Sequence, residues 1–282
     1  MNDNEYTALM MAAEHEETEC MEMLLEAKAD IHIADNHGST ALTTAACNDS
    51  PWCLQMLIEA KAAIEAANQS GHTALILAAR EGRDECLQKL LDADADIEAV
   101  TESGDTALIL AAGKGNTECL EMLLDADADI ETTNKSGDTA LIAATRGRRD
   151  NCVQVLLDAK ADVDAANNGG DTALILAASE CSTRCVQMLV DANADVNAAN
   201  NIGNTALILA AGRNYTECLQ KLLDAKADVS AANKNNATAL HQAAIQRNTD
   251  CLRMLLDAEW NFHLKRKRRE DSPDPRQSKR SK

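Results

Sequence analysis

Residues Thr101–Thr133 read TESGDTALILAAGKGNTECLEMLLDADADIETT, and the tripeptide Thr106-Ala107-Leu108 inside this stretch returns every 33 residues along the chain. The copies begin at Thr7, Thr40, Thr73, Thr106, Thr139, Thr172, Thr205 and Thr238. Eight copies in one register mean that a single structural unit is repeated, and a period of 33 points to a stacked solenoid. Within the quoted copy, Glu102-Ser103-Gly104-Asp105 is turn chemistry. Gly104 takes positive φ without a steric penalty, and Ser and Asp side chains bond the nearby backbone. Thr106 then caps a short helix whose expected apolar face is Leu108, Leu110, Ala111 and Ala112. Gly113-Lys114-Gly115-Asn116 ends it. A second helix is expected from Thr117, with Glu118 at its positive end and Cys119, Leu120, Leu123 and Leu124 on its buried face. In the second copy Ser50-Pro51 marks the same start, since Pro suits a first helical position. Helices shorter than about 12 residues are marginal alone, so order must come from stacking on neighbouring copies.

Composition sets further bounds. Of 282 residues, 45% are apolar but only 2% aromatic, namely Tyr6, Trp52, Tyr215, Trp260 and Phe262. The core must therefore use Leu, Ile, Ala, Met and Cys. No apolar run approaches the ~20 residues that span a membrane. The opening Met1-Asn2-Asp3-Asn4-Glu5 is polar and acidic, unlike a secretory signal or an Arg-rich transit peptide. An intracellular protein of the nucleus, the cytoplasm or both is the expectation. Charge is uneven: from Lys265 onward nine Lys/Arg face three Asp/Glu, whereas the preceding residues hold 18 basic and 43 acidic groups. So negative a body should be repelled by nucleic acid and by anionic membranes.

The pattern G-x-T-A-L-x-x-A-A, a break, then C-[LVM]-x-x-L-L-x-A-x-A-D-[IV] resembles the ankyrin repeat from roughly Asn2 to His263. The resemblance implies an all-α ankyrin-repeat solenoid of stacked helix-turn-helix units, with β-turns projecting as fingers beside a groove of first helices. The array is expected over 2–264, with repeats near 2–34, 35–67, 68–100, 101–133, 134–166, 167–199, 200–232 and 233–264. A disordered basic tail is expected over 265–282. Three features depart from the family pattern. The usual Thr-Pro-Leu-His is Thr-Ala-Leu followed by Ile, Met or Thr, and only His241 keeps the His. The Gly that ends the second helix is replaced by Lys28, Lys61, Asp94, Asp127, Lys160, Asn193, Lys226 and Glu259. The Gly between helices survives at Gly82 and Gly115, with Gly147 one place early.

Ten cysteines invite a metal or disulfide reading. Eight of them, Cys20, Cys53, Cys86, Cys119, Cys152, Cys185, Cys218 and Cys251, share one position on the second helix. Packed helices lie ~8–10 Å apart, beyond the ~7 Å that a disulfide bridges between Cα atoms. No C-x2-C pair exists for zinc. Cys reads instead as a small apolar core residue, while Cys47 and Cys181 fall at the ends of first helices. Acidic residues form two rows. Glu26, Glu59, Asp92, Asp125, Asp158, Asp191, Asp224 and Asp257 read as a solvated face. Asp30, Asp96, Asp129, Asp162, Asp195 and Asp228 read as partners of the turn that follows. Calcium needs six to eight oxygens, roughly 2.3–2.6 Å away, which successive repeats cannot converge. No catalytic residues, metal site or cofactor site is expected.

Two sets of positions vary while the framework repeats. One is the finger tips: Asn36, His37 and Ser39; Gln69, Ser70 and His72; Glu102, Ser103 and Asp105; Lys135, Ser136 and Asp138; Asn168, Gly169 and Asp171; Asn201, Ile202 and Asn204; Lys234, Asn235 and Ala237. The other is the end of each first helix, where Arg80, Arg83, Lys114, Arg146, Arg148, Arg149, Arg213 and Arg247 concentrate, with Tyr215 the sole aromatic. Two readings of that basic cluster stand side by side: docking of an acidic protein partner along the third to fifth repeats, or ordinary solvated helix ends. In the tail, Lys265-Arg266-Lys267-Arg268-Arg269 and Lys279-Arg280 resemble a two-part nuclear import signal, and Ser272 before Pro273 could accept phosphate. The expected function is a non-catalytic interaction scaffold or adaptor, monomeric, binding a protein partner, with import machinery meeting the tail. Two alternatives are a nuclear transcription or chromatin regulator and a substrate-receptor subunit of a modifying enzyme.

Overall fold

The computed structural model describes residues 5–270. The chain falls into two compact units, Met1–Asn168 and Gly169–Lys282. The first holds five helix pairs: α1 (Ala8–Glu14) with α2 (Thr18–Glu26), α3 (Ala41–Cys47) with α4 (Pro51–Glu59), α5 (Ala74–Glu81) with α6 (Asp84–Asp92), α7 (Ala107–Lys114) with α8 (Thr117–Asp125), and α9 (Ala140–Arg146) with α10 (Asp150–Asp158). The second holds three: α11 (Ala173–Ser179) with α12 (Thr183–Asp191), α13 (Ala206–Gly212) with α14 (Thr216–Asp224), and α15 (Ala239–Ile245) with α16 (Thr249–Glu270). Within each unit first helices stack on first helices and second on second, an all-α solenoid arrangement of helix pairs.

Every first helix starts for the same reason. Thr7, Thr40, Thr73, Thr106, Thr139, Thr172, Thr205 and Thr238 are extended and accept a hydrogen bond from the backbone N–H three residues on. Each such cap contributes about 1 kcal/mol. The first helix is buried further round than one stripe. In α7, Ala107, Leu108, Ile109, Ala111 and Ala112 are all buried, while Leu110, expected inside, is only half-buried. The reason is that α5, α9 and α8 cover three of its sides. On α8 the core residues are Cys119, Leu120 and Leu123, and Leu124 is half-buried.

The missing glycines do not change the turns. Each second helix from α2 to α14 ends with a left-handed residue: Lys28, Lys61, Asp94, Asp127, Lys160, Asn193 and Lys226. Around Lys61 (φ 69°) the Schellman bonds are complete, Lys61 N–H to Ile58 O and Ala62 N–H to Leu57 O, both 2.9 Å. The eighth position, Glu259, lies inside α16, which continues to Glu270. Lys265–Arg269 therefore sit on helical backbone, within the stretch expected to be a disordered tail from 265. Lys, Arg and Glu favour helix, and the first breaker is Pro273.

The loop within each pair also turns through a left-handed residue, and only two are glycine: Glu16, Asp49, Gly82, Gly115, Arg148, Cys181, Asn214 and Arg247. Gly147 is not the displaced turn residue that its sequence position suggests. It is right-handed at φ −74°, and a Cβ there would run into the carbonyl of Gly113 in the neighbouring repeat. Close backbone approach, not turn conformation, selects this glycine.

Candidate partner-binding surfaces

The fingers are built from Asx turns. Asp35 Oδ1 accepts from the N–H groups of His37 and Ser39, both 2.8 Å, and Asn68, Asn134, Asn200 and Asn233 do the same in their repeats. Successive fingers are then tied main chain to main chain. In the first unit Gln69, Glu102, Lys135 and Asn168 donate to His37, Ser70, Ser103 and Ser136 carbonyls at 2.9–3.0 Å. In the second unit Asn201 and Lys234 donate to Gly169 and Ile202. A parallel side-chain ladder runs deeper. Asn134 Nδ2 donates to Asp105 Oδ1 (2.7 Å), Asn167 to Asp138 (2.9 Å), Asn200 to Asp171 (2.8 Å) and Asn233 to Asn204 (2.8 Å).

This ladder divides the tip residues into two groups. Asn36, His37, Gln69, Ser70, Glu102, Ser103, Lys135, Ser136, Asn168, Gly169, Asn201, Ile202, Lys234 and Asn235 are exposed at the crests, and Ile202 is the largest apolar side chain among them. Ser39, His72, Asp105, Asp138, Asp171, Asn204 and Ala237 lie at the bases, half-buried or, for Asp138, buried. Among these, Asp105, Asp138, Asp171 and Asn204 accept the bonds that hold finger to finger. The variable side chains and the structural ones are thus separated by only two or three residues.

The basic helix ends are largely engaged within the protein. Arg146 Nη2 bonds both oxygens of Asp138 at 2.9 and 3.0 Å. Arg80 pairs with Glu81 at 2.7 Å and donates to His72 Nε2 at 3.1 Å. Burial first and Arg80 second hold the His72 imidazole below its ordinary pKa, which fits a neutral ring accepting from a guanidinium. The residue opening several second helices reaches back to open carbonyls at the end of the preceding first helix. Arg83 Nε bonds Cys47 O (3.1 Å), Arg149 Nε bonds Gly113 O (3.3 Å), and Asn116 Nδ2 bonds Ala79 O and Arg80 O (both 2.8 Å). In the second unit Asn248 bonds Ala211 O at 2.8 Å, and Arg213 bonds Ser179 O with Glu180 at 3.9 Å. Helices leave such carbonyls unpaired and partly negative, so part of the basic concentration is capping chemistry across repeats. Lys114 and Arg148 are exposed and have no ion-pair partner among the described residues. Tyr215 is half-buried as the residue preceding α14.

Both acidic rows have visible partners. Asp30, Asp96, Asp129, Asp162, Asp195 and Asp228 each accept from the backbone N–H two residues on, at 2.8–3.0 Å. The same turns are joined across repeats, as where Glu65, Glu98 and Glu131 accept from the N–H groups of Asp96, Asp129 and Asp162. The outer row is exposed, with Gln55, Gln88, Gln154, Gln187 and Gln220 donating to acids one turn on. Among the described residues no His, Cys, Asp and Glu converge on a metal-sized site, and no helix is long and apolar enough to cross a membrane.

None of the ten cysteines, all among the described residues, is in a disulfide. Cys53 through Cys251 in the repeated column are fully buried, and Cys53, Cys86 and Cys119 point their thiols at carbonyls of the preceding repeat's first helix, Ala12, Ala45 and Ala78. Burial pushes the Cys53 thiol up to about 11 and Cys86 to about 12. Cys20 is the exception and is exposed, because no repeat among the described residues lies before it. Around Cys20 lies an apolar groove that sequence reasoning missed. The first repeat keeps the same stacking residues, Ala8, Cys20 and Leu24, on a side that no repeat among the described residues covers. Trp52, 63% exposed beneath the Lys89 ammonium at 5.3 Å, was legible only as one of five aromatics. Of the residues expected to resemble an import signal, Lys265–Arg269 lie on the backbone of α16, and Lys279 and Arg280, like Ser272, fall outside the described residues.

The sequence profile of a family described as ankyrin repeats (3 copies) matches residues 1–68, 60–134, 108–200 and 194–267. Among solved structures, the human ASB11 ankyrin repeat domain is similar, at 26% identity and a TM-score of 0.72. The match covers 79% of this chain and 99% of that one. No curated protein matches.

Proposed function

Because the chain belongs to the ankyrin-repeat family, whose repeats generally mediate protein–protein interaction, we propose that it is a non-catalytic scaffold. Its partner would be a protein held by the finger crests and the neighbouring first-helix ends. One observation supports this reading above the others: the fingers are fixed by main-chain bonds and by side chains at their bases. Crest side chains project outward from this frame, and Gln69 Nε2 and Asn168 Nδ2 also donate to the Asn36 and Lys135 carbonyls of the finger before. Rigid presentation lowers the ordering entropy that binding must overcome. Within the basic cluster, Lys114 and Arg148 are the cations best placed to meet an acidic partner, since Arg80 and Arg146 are committed to Glu81 and Asp138.

The test is crosslinking capture from the source cell with three forms of the chain: unaltered, Glu102→Ala/Lys135→Ala/Ser136→Ala, and Lys114→Glu/Arg148→Glu. A captured protein lost by the crest variant supports the fingers as the site. Loss by the charge-reversed variant, with weaker capture of the unaltered chain at high salt, supports an acidic partner. Equal capture by all three refutes the proposal.

A second reading, a nuclear regulator using the array as its docking module, is favoured by the five consecutive basic residues Lys265–Arg269. Nuclear accumulation that survives ending the chain at Leu264 would remove it.

A further inference from the structure

From the second repeat onward, each repeat within a unit presents one side to the helices of the repeat before it. In the second repeat that side includes Ala41, Cys53 and Leu57, all 2% exposed or less, covered by α1 and α2. The same positions in the first repeat are Ala8, Cys20 and Leu24, and they are open: Ala8 and Cys20 exposed, Leu24 half-buried. Met11 and Met23 join them at 53% and 70% exposure. Together they line a groove of about 420 Å³ between α1 and α2, with His15 and Glu17 at its edge.

We propose that this end face is a docking groove for an amphipathic helix that carries basic residues beside its apolar stripe. A helix is the fitting occupant because helices fill the equivalent surface in the following repeats of the unit. The apolar stripe is set by Met11, Cys20, Met23 and Leu24, and methionine adapts readily to the shape of what it meets. The basic flanks are set by charge. The first 27 residues contain eight carboxylates and no Lys or Arg; Glu17 lines the groove, and Glu14, Glu19 and Glu22 are exposed on the two helices that form it. The site is separate from the finger crests, and its partner carries the opposite charge to the one that Lys114 and Arg148 would select.

The experiment titrates the full chain with a synthetic helix of about 18 residues, Leu at i, i+3, i+4 and i+7 and Lys elsewhere. A Leu/Glu counterpart is the control. The Leu/Lys peptide is expected to bind one to one, with the Leu/Glu peptide showing no binding. Met11→Glu/Met23→Glu should weaken affinity by roughly tenfold or more through lost apolar burial, even though it adds negative charge. Met11→Ser/Met23→Ser should weaken it similarly without altering charge. Both methionines are exposed, and unchanged circular dichroism and unfolding midpoint would verify that each variant is folded. Affinity that is unchanged or tightened by the Glu variant would overturn the proposal, because contact would then be only with the acidic body. Equal binding of the Leu/Glu peptide would also overturn it. So would sedimentation of the chain alone as a dimer that the Met variants dissociate, since the face would then belong to a second copy.

Discussion

Lys61 and Lys160 offer the sharpest test of the turn geometry. Each is exposed, each has φ of 69°, and each closes a Schellman motif that glycine usually closes. A left-handed L-residue costs roughly 1–2 kcal/mol through its Cβ. Glycine removes that cost but loses about 0.5–1 kcal/mol more backbone entropy on folding. Lys61→Gly and Lys160→Gly should therefore each stabilise the fold by about 0.5–1 kcal/mol. Three repeats apart, the two changes should add, giving about 1–2 kcal/mol together. The assay is urea denaturation of the full chain followed by far-ultraviolet circular dichroism, comparing midpoints at unchanged slope. Alanine at the same positions separates the causes: it removes the ammonium but keeps the Cβ, so it should bring no gain. At Glu259, inside α16, glycine should instead destabilise by about 1 kcal/mol. If Ala stabilises as much as Gly, charge rather than conformation governs these sites. If Gly fails at both lysines, the strain argument is wrong.

Other outcomes follow from the same geometry. In native protein at mildly alkaline pH, alkylation read by mass spectrometry should modify Cys20 first and Cys47 and Cys181 more slowly. The seven buried thiols should be spared until urea unfolds the chain, because reagent cannot reach them and burial also holds the Cys53 and Cys86 thiols up at about 11 and about 12. Asn134→Ala removes both the Asx turn and the bond to Asp105, so it should lower unfolding free energy by about 1–3 kcal/mol while leaving helical content unchanged. His72 is favoured neutral in the fold, so its contribution to stability is present above the 6.5 of a free imidazole and is lost as pH falls below it. His72→Gln should flatten that part of the stability-against-pH curve, and an unaltered slope would contradict the burial of the ring beside Arg80.

The architecture was legible because the period, the Thr caps and the Leu/Cys spacing all point to one unit. What escaped the sequence depended on neighbours in space. Leu110 looked more buried than Ile109 from spacing in one helix, yet three surrounding helices reverse that order. Gly147 looked like a misplaced turn glycine, yet it answers to a carbonyl in another repeat, 34 residues earlier in the chain. Arg83 and Arg149 read either as a site for an acidic partner or as solvated helix ends, and no local pattern says that their guanidinium groups reach helix-end carbonyls one repeat away. Conversely, the acids before each turn were readable, since an Asx bond closes within two residues. Contacts within a repeat follow from spacing; contacts between repeats require the stacking offset.

The rungs between fingers join amide to carbonyl and ignore what each residue carries outward. Recombination that inserts or deletes one whole period would regenerate every rung at the new junction, as the successive Gly-x-Thr segments already do. Such a gene can grow or shrink its product in steps of one repeat with folding intact, so its reach toward a partner is adjustable by copy number before any side chain changes.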